Sequence, residues 1–399
     1  MPIDPADVAI CVEGALPGAA PGEPGRPAAG PSPMSPPIVQ TSLFSFPAFD
    51  DLLEGLADEE RRPVYTRGSN PTAEAVERKI AALERGEACR TFGSGMAAIS
   101  AVLLSFLEAG DHVLFLNQVY GPTLQLARHL ERFDVSHDVL PGASPAAVAE
   151  ALRAETRLVW LESPGTMTFR VLDVPVLASL CRERGVMTCM DNSWSTPLFQ
   201  KPLTCGVDIV VHSATKYLAG HSDLVAGAAI CSRELMERLF ARGYMLGGGI
   251  LAPFDAWLLH RGLLTLPVRL RQHQADAVEV ASFLAEHPAV RRVHHPALAR
   301  GEEADLVTRQ LAGTSGLFSF ELARGEFGAV REVLDALEVF RLGVSWGGVE
   351  SLAISPENGR NGDELETKGL PRGLIRISVG LEGAGRLIDD LGRALDRVA

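Results

Sequence analysis

Lys216 sits in the stretch His212-Ser213-Ala214-Thr215-Lys216-Tyr217-Leu218-Ala219-Gly220-His221-Ser222, directly after the apolar run Asp208-Ile209-Val210-Val211. A lysine at the end of a buried strand, hemmed in by Ser, Thr and Gly, is partly desolvated. That lowers its pKa and frees the amine as a nucleophile. Such an amine forms Schiff bases with carbonyl compounds, pyridoxal phosphate among them. Ser213 and Thr215 offer hydroxyls to a phosphate. The same stretch also reads as a surface lysine in a strand-to-loop turn.

Asp191 ends a second apolar run, Val186-Met187-Thr188-Cys189-Met190-Asp191. A pyridoxal ring needs a carboxylate against its nitrogen to stay protonated and draw electrons from the substrate. A capping carboxylate is the other reading of Asp191. Tyr120 follows the run His112-Val113-Leu114-Phe115-Leu116, where an aromatic ring can stack on a flat cofactor or fill a core. Gly93-Ser94-Gly95-Met96 forms a strand-to-helix turn, and the N–H groups of Gly95 and Met96 are placed to bind an anion. Gly-x-Gly also occurs in any tight turn. In Tyr65-Thr66-Arg67, an extended segment points phenol and guanidinium the same way, suited to a phosphate or to a plain surface pair.

These residues require apolar strands alternating with helices such as Val174 to Arg184. That pattern implies parallel strands with right-handed crossovers and a site at the strand carboxyl ends. The expected fold is α/β with a doubly wound, mostly parallel sheet and a smaller C-terminal α+β domain. The expected divisions are residues 1–70, a flexible Pro/Gly-rich arm and cross-subunit segment; 71–262, the large domain; and 263–399, the small domain. Thr72 is the expected N-cap of the helix after Asn70-Pro71, and His294-His295 is expected in a solvated loop.

Asp191-Asn192-Ser193-Trp194-Ser195-Thr196-Pro197, together with Ser213-Ala214-Thr215-Lys216-Tyr217-Leu218-Ala219-Gly220-His221-Ser222-Asp223, resembles the Cys/Met-metabolism (trans-sulfuration) family of pyridoxal-phosphate enzymes. The likeness runs from about Tyr65 to the C-terminus. It implies the aspartate aminotransferase-like fold, fold type I, with pyridoxal 5′-phosphate on Lys216 and Asp191 at the ring nitrogen. It further implies that Tyr120 stacks on the ring and assists proton transfer, while Gly95, Met96, Ser213 and Thr215 hold the phosphate. Tyr65 and Arg67 would reach it from a neighbouring subunit, within a homotetramer built of dimers. Ser345 and Arg376 would fix the substrate carboxylate, with Trp346 beside them; alone, Arg376 also reads as a structural ion pair.

Glu162-Ser163-Pro164-Gly165-Thr166, Arg269-Leu270-Arg271-Gln272-His273 and Ser345-Trp346-Gly347-Gly348 look most like bacterial cystathionine β-lyase. The implied reaction is β-elimination of L-cystathionine or a related cysteine thioether to pyruvate, ammonia and a thiol, with γ-elimination or γ-replacement on a homoserine- or methionine-type substrate as one alternative and a non-catalytic binding relative as another. Gly68, Gln125 and Val344 depart from that group, which has an arginine, an acid and commonly a tyrosine there.

The net charge of −13 argues against nucleic acid and anionic membranes as partners. The six cysteines show no Cys-x-x-Cys pair and no metal-ligand spacing, which fits a reducing cytoplasm and no metal. No apolar run is long enough to cross a bilayer, and no secretory signal is expected.

Overall fold

The computed structural model describes residues 3–12, 34–116, 118–142 and 144–399. Strands β1 (Ala88–Phe92), β2 (His112–Leu116), β3 (Ser136–Leu140), β4 (Thr156–Glu162), β5 (Met187–Asp191), β6 (Ile209–His212) and β7 (Gly227–Cys231) form one seven-stranded sheet in the order β1-β7-β6-β5-β4-β2-β3. β2 to β6 pair in parallel, and β7 runs antiparallel to β1 and β6 on either side of it. The inner strands are unbroken apolar runs because helices cover both faces. Successive side chains alternate between two cores. Phe115 and Trp160 join Val113, Leu158 and Val211 on one face, whereas Leu114, Leu116, Val159, Leu161 and Met190 pack on the other.

A second, five-stranded sheet contains β8 (Val290–His294), β9 (Leu317–Leu322), β10 (Arg341–Leu342), β11 (Leu352–Ile354) and β12 (Leu374–Ser378), in the order β10-β11-β12-β9-β8. Phe318, Phe320, Ile375 and Ile377 anchor its core. The helix Pro253–Glu286 passes straight through the expected boundary at 262/263 despite Pro267 within it. Its Leu259 to Leu270 pack in a core of the first sheet, and its Ala277 to Leu284 pack in the core of the second. This helix joins the two sheets, and Arg269 on it donates to the carbonyls of Tyr217 and Gly262, each at 2.8 Å.

Three local expectations need correction. In the arm, residues Pro5–Val12 form a helix whose Asp7 and Cys11 are buried; the rest of the Pro/Gly-rich stretch up to residue 33 lies outside the described residues. Asp7 pairs with Arg85 and Lys201, each at 2.8 Å, so a carboxylate outweighs the local Pro/Gly content. The N-cap of the helix Pro71–Glu84 is Asn70, whose side chain accepts from the Thr72 N–H, and the Thr72 hydroxyl turns back to the Val39 N–H instead. His294 and His295 are buried: His294 lies on β8, 2.6 Å from Glu321, and His295 accepts from the Ala297 N–H.

Candidate active site

The carboxyl ends of β2, β4, β5 and β6 open on a cavity of about 220 Å³ lined by Tyr120, Glu162, Asp191 and Lys216. Ser94, Gly95, Met96, Ser213, Thr215 and Trp346 also line it. Asp191 is the last residue of β5, Glu162 is its register partner on β4, and Lys216 follows the end of β6.

Lys216 Nζ donates to Ser345 Oγ at 2.8 Å and lies 5.4 Å from the Trp346 ring centroid. Burial, then the nearby Arg376 charge, pushes its amine down to about 8. Trp346 packs edge-on against Tyr217 at 5.5 Å, and the buried Tyr217 hydroxyl accepts from the Gly316 N–H at 2.8 Å. Lysine and serine come from different sheets' domains, so the cavity is a seam.

Asp191 accepts from the Ser193 N–H at 2.9 Å. Burial raises its pKa, while that hydrogen bond and the charges of His212 and Lys216 pull it back. Glu162 is raised much further by burial and by Asp191, so of the two neighbouring carboxyls Asp191 ionises first. Glu162 accepts from the Tyr120 N–H at 2.8 Å and fixes the start of the tyrosine loop. Tyr120 is half exposed, with burial raising its phenol. Behind Asp191, the buried Glu84 accepts from Asn192 at 2.8 Å and meets His212 Nε2 at 2.6 Å. Arg376, on β12, is nearly buried and donates to the Val344 carbonyl at 3.1 Å. Its charge reaches Tyr120, Glu162 and Lys216.

At the other end of the cavity, Ser94 caps the helix Gly95–Phe106 by accepting from the Ala97 N–H. A Cβ at Gly95 would lie 2.9 Å from Ser213 Oγ, so glycine is what lets the helix start against the Ser213 loop. Unsatisfied N–H groups and the helix dipole make this end a place for an anion. The Thr215 hydroxyl, expected to face a phosphate, instead donates to the Ala226 carbonyl at 3.1 Å and accepts from the Ala226 N–H at 2.9 Å. That leaves it only an acceptor lone pair. Tyr65 and Arg67 do not line this chain's cavity; the backbone turns after Tyr65, with the Gly68 N–H donating to the Tyr65 carbonyl, and the Arg67 guanidinium lies 5.6 Å over the Tyr65 ring. Glu162, Ser193 and Ser94 stand in the quoted motifs but were given no role there, although Glu162 carries the same strand-end signature as Asp191.

The donor set is that of a pyridoxal phosphate site: an amine of lowered pKa, a carboxylate, an aromatic ring and a helix N-terminus around one cavity. The profile of the Cys/Met metabolism PLP-dependent enzyme family matches residues 25–396. The chain belongs to that family. It is 38% identical over 368 residues to L-methionine gamma-lyase from Pseudomonas putida, covering 91% of this chain and 92% of that protein. It is also 38% identical over 372 residues to cystathionine beta-lyase from Bacillus subtilis, covering 92% of each. Among solved structures, it superposes with a TM-score of 0.87 and 33% identity on cystathionine gamma synthase from Xanthomonas oryzae pv. oryzae, covering 98% of both chains. That structure holds aminoacrylate and cysteine. The protein is thus a pyridoxal-phosphate-dependent enzyme of trans-sulfuration type, with fold type I architecture. Among the described residues, no helix is long and apolar enough to cross a membrane.

Proposed function

We propose that the protein is a carbon–sulfur lyase catalysing β-elimination from L-cystathionine or a related cysteine thioether, yielding pyruvate, ammonia and a thiol. The carrying observation is the confinement of Lys216: Ser345 holds its amine, and the Trp346 indole, braced on Tyr217, walls it in. β-Elimination asks the base to remove one proton at one carbon. γ-Elimination asks it to serve two carbons in turn, which a confined amine does less well.

Pyridoxal phosphate, when bound, supplies the aldehyde that Lys216 engages and the ring that accepts charge from the substrate's Cα. Asp191 stays anionic toward the ring nitrogen. The Gly95 and Met96 N–H groups and Ser213 hold the phosphate, with Thr215 lining the same end. Arg376 forms a forked pair with the substrate carboxylate, assisted by Ser345. Tyr120 would stack on the cofactor ring and assist the proton transfer. Lys216 Nζ takes the Cα proton; the Cβ–S bond breaks, its electron pair leaves with sulfur, and a proton completes the thiol. Water then releases pyruvate and ammonia. Tyr65 and Arg67 serve the phosphate of a neighbouring copy, which makes the working unit a dimer within a homotetramer. Six unpaired thiols, five of them buried, support a cytoplasmic setting.

The likeness to methionine gamma-lyase favours a second reading, γ-elimination to 2-oxobutyrate. Purified protein incubated with L-cystathionine and L-methionine, with pyruvate, 2-oxobutyrate and thiol assayed together, separates them. Pyruvate with homocysteine supports β-elimination; 2-oxobutyrate as the main product overturns it. Lys216→Ala is expected to abolish both the cofactor's Schiff-base absorbance and turnover.

A further inference from the structure

A second, much larger cleft of about 1070 Å³ lies between the two domains, away from Lys216. One wall comes from the first domain, through Gln118 and the segment Thr168 to Arg170; the other comes from β8 and the turn after it. Although the chain carries 50 acids against 37 bases, this cleft gathers Arg170, Arg291, Arg292, Arg300 and Lys368. Lys368 is paired with Glu364 and Arg291 donates to the Ala323 carbonyl at 2.9 Å, while Arg291, Arg292 and Arg300 make no ion pair among the described residues. Two of the acids on its walls are already engaged within the chain, Glu321 with His294 at 2.6 Å and Glu366 with Arg372 at 2.7 Å. Val293 and Leu298, half-buried, give the cleft apolar surface beneath this charge.

We propose that this inter-domain cleft binds a multiply charged small anion with an organic body, of nucleotide size, and that its arginines form the anion-binding rim. Guanidinium forks match phosphate and carboxylate oxygens, and a concave site between domains holds a ligand on both sides. Hydrogen bonds join a wall of the cleft to a segment that lines the active cavity. Gln118 Oε1 accepts from the Thr168 N–H at 2.7 Å, and its carbonyl accepts from the Thr166 N–H at 3.0 Å. Thr166 lines the active cavity, and Phe169 packs at 6.2 Å against Trp194, which lines it too. Gln118 thus ties one wall of the cleft to the segment before Tyr120.

The test is calorimetric titration of the holoenzyme, pyridoxal phosphate in place, with ADP, inorganic pyrophosphate and citrate at about 50 mM salt. At least one probe is expected to show a saturable site that weakens at about 300 mM salt, because exposed charges are then strongly screened. Combined Arg291→Ala, Arg292→Ala and Arg300→Ala is expected to weaken it at least about tenfold, as charge-assisted hydrogen bonds are lost; Arg331→Ala, an exposed control elsewhere, leaves it unchanged. ADP or citrate tighter than pyrophosphate supports the site; pyrophosphate tighter than both overturns the organic body the proposal assigns to the ligand. No saturable binding by any probe, or equal affinity in the triple variant, overturns the proposal. Binding heat does not depend on which thioether the enzyme cleaves, so failure of the catalytic reading leaves this test intact.

Discussion

At the scale of single residues, the site works through contrast between like groups. Asp191 and Glu162 are adjacent carboxyls at neighbouring strand ends, yet burial and hydrogen bonding separate their protonation. Asp191→Asn removes the charge expected at the ring nitrogen and is predicted to lower kcat by about 100- to 1000-fold, the loss typical of one electrostatic stabiliser; steady-state kinetics with cofactor in excess measures it. Lys216 offers a pH test. Its amine titrates at about 8 when folded against an ordinary 10.5. Below about pH 8, folded and unfolded chains are both protonated, and the folded state carries the full cost of the buried charge. Between those values the unfolded chain binds more protons, so stability rises with pH. In cofactor-free protein, Lys216→Met is therefore predicted to stabilise by about 3 kcal/mol at pH 7, an advantage that fades toward pH 10.5. Urea unfolding at both pH values checks it, and a pH-independent difference would refute the desolvated amine.

At the scale of elements, the anion-binding end depends on a close approach between β7 and the helix Gly95–Phe106. A Cβ at Gly227 would come within 2.2 Å of the Ser94 carbonyl oxygen, a backbone atom that cannot swing away. Gly227→Ala is predicted to destabilise by about 1 to 3 kcal/mol, the range for overpacking, and to weaken cofactor retention; thermal unfolding and dialysis against buffer read the two effects. The elements were largely legible because apolar runs ending in Tyr120, Asp191 and Lys216 share one grammar, the strand that stops at a polar residue. Trp346, Ser345 and Arg376 were reachable only through the family likeness, since nothing local distinguishes an arginine on a strand facing substrate from one in an ion pair. The His294-His295 pair read wrongly for a related reason. Whether an imidazole finds Glu321 is decided by chain far away in sequence.

At the scale of the whole molecule, the helix Pro5–Val12 is tied down by one buried carboxylate. Asp7→Ala leaves Lys201 facing a desolvated position and is predicted to destabilise by about 2 to 3 kcal/mol. Denaturant unfolding measures it, and an unchanged midpoint would show the clasp to be dispensable. Composition alone hid this helix, because proline and glycine dominate the stretch after it.

The place of β7 also bears on how the protein is made. β1 pairs in the sheet with β7 alone, yet β7 lies far later in the chain. During synthesis at ordinary ribosomal speed, β1 waits on the order of 10 s for its neighbour. Until then β1 and β6 are both open edges, and the Gly95 turn that follows β1 has no fixed position against Ser213. The nascent chain thus passes through a long interval in which its anion-binding turn is unbuilt and two strand edges are available to other chains.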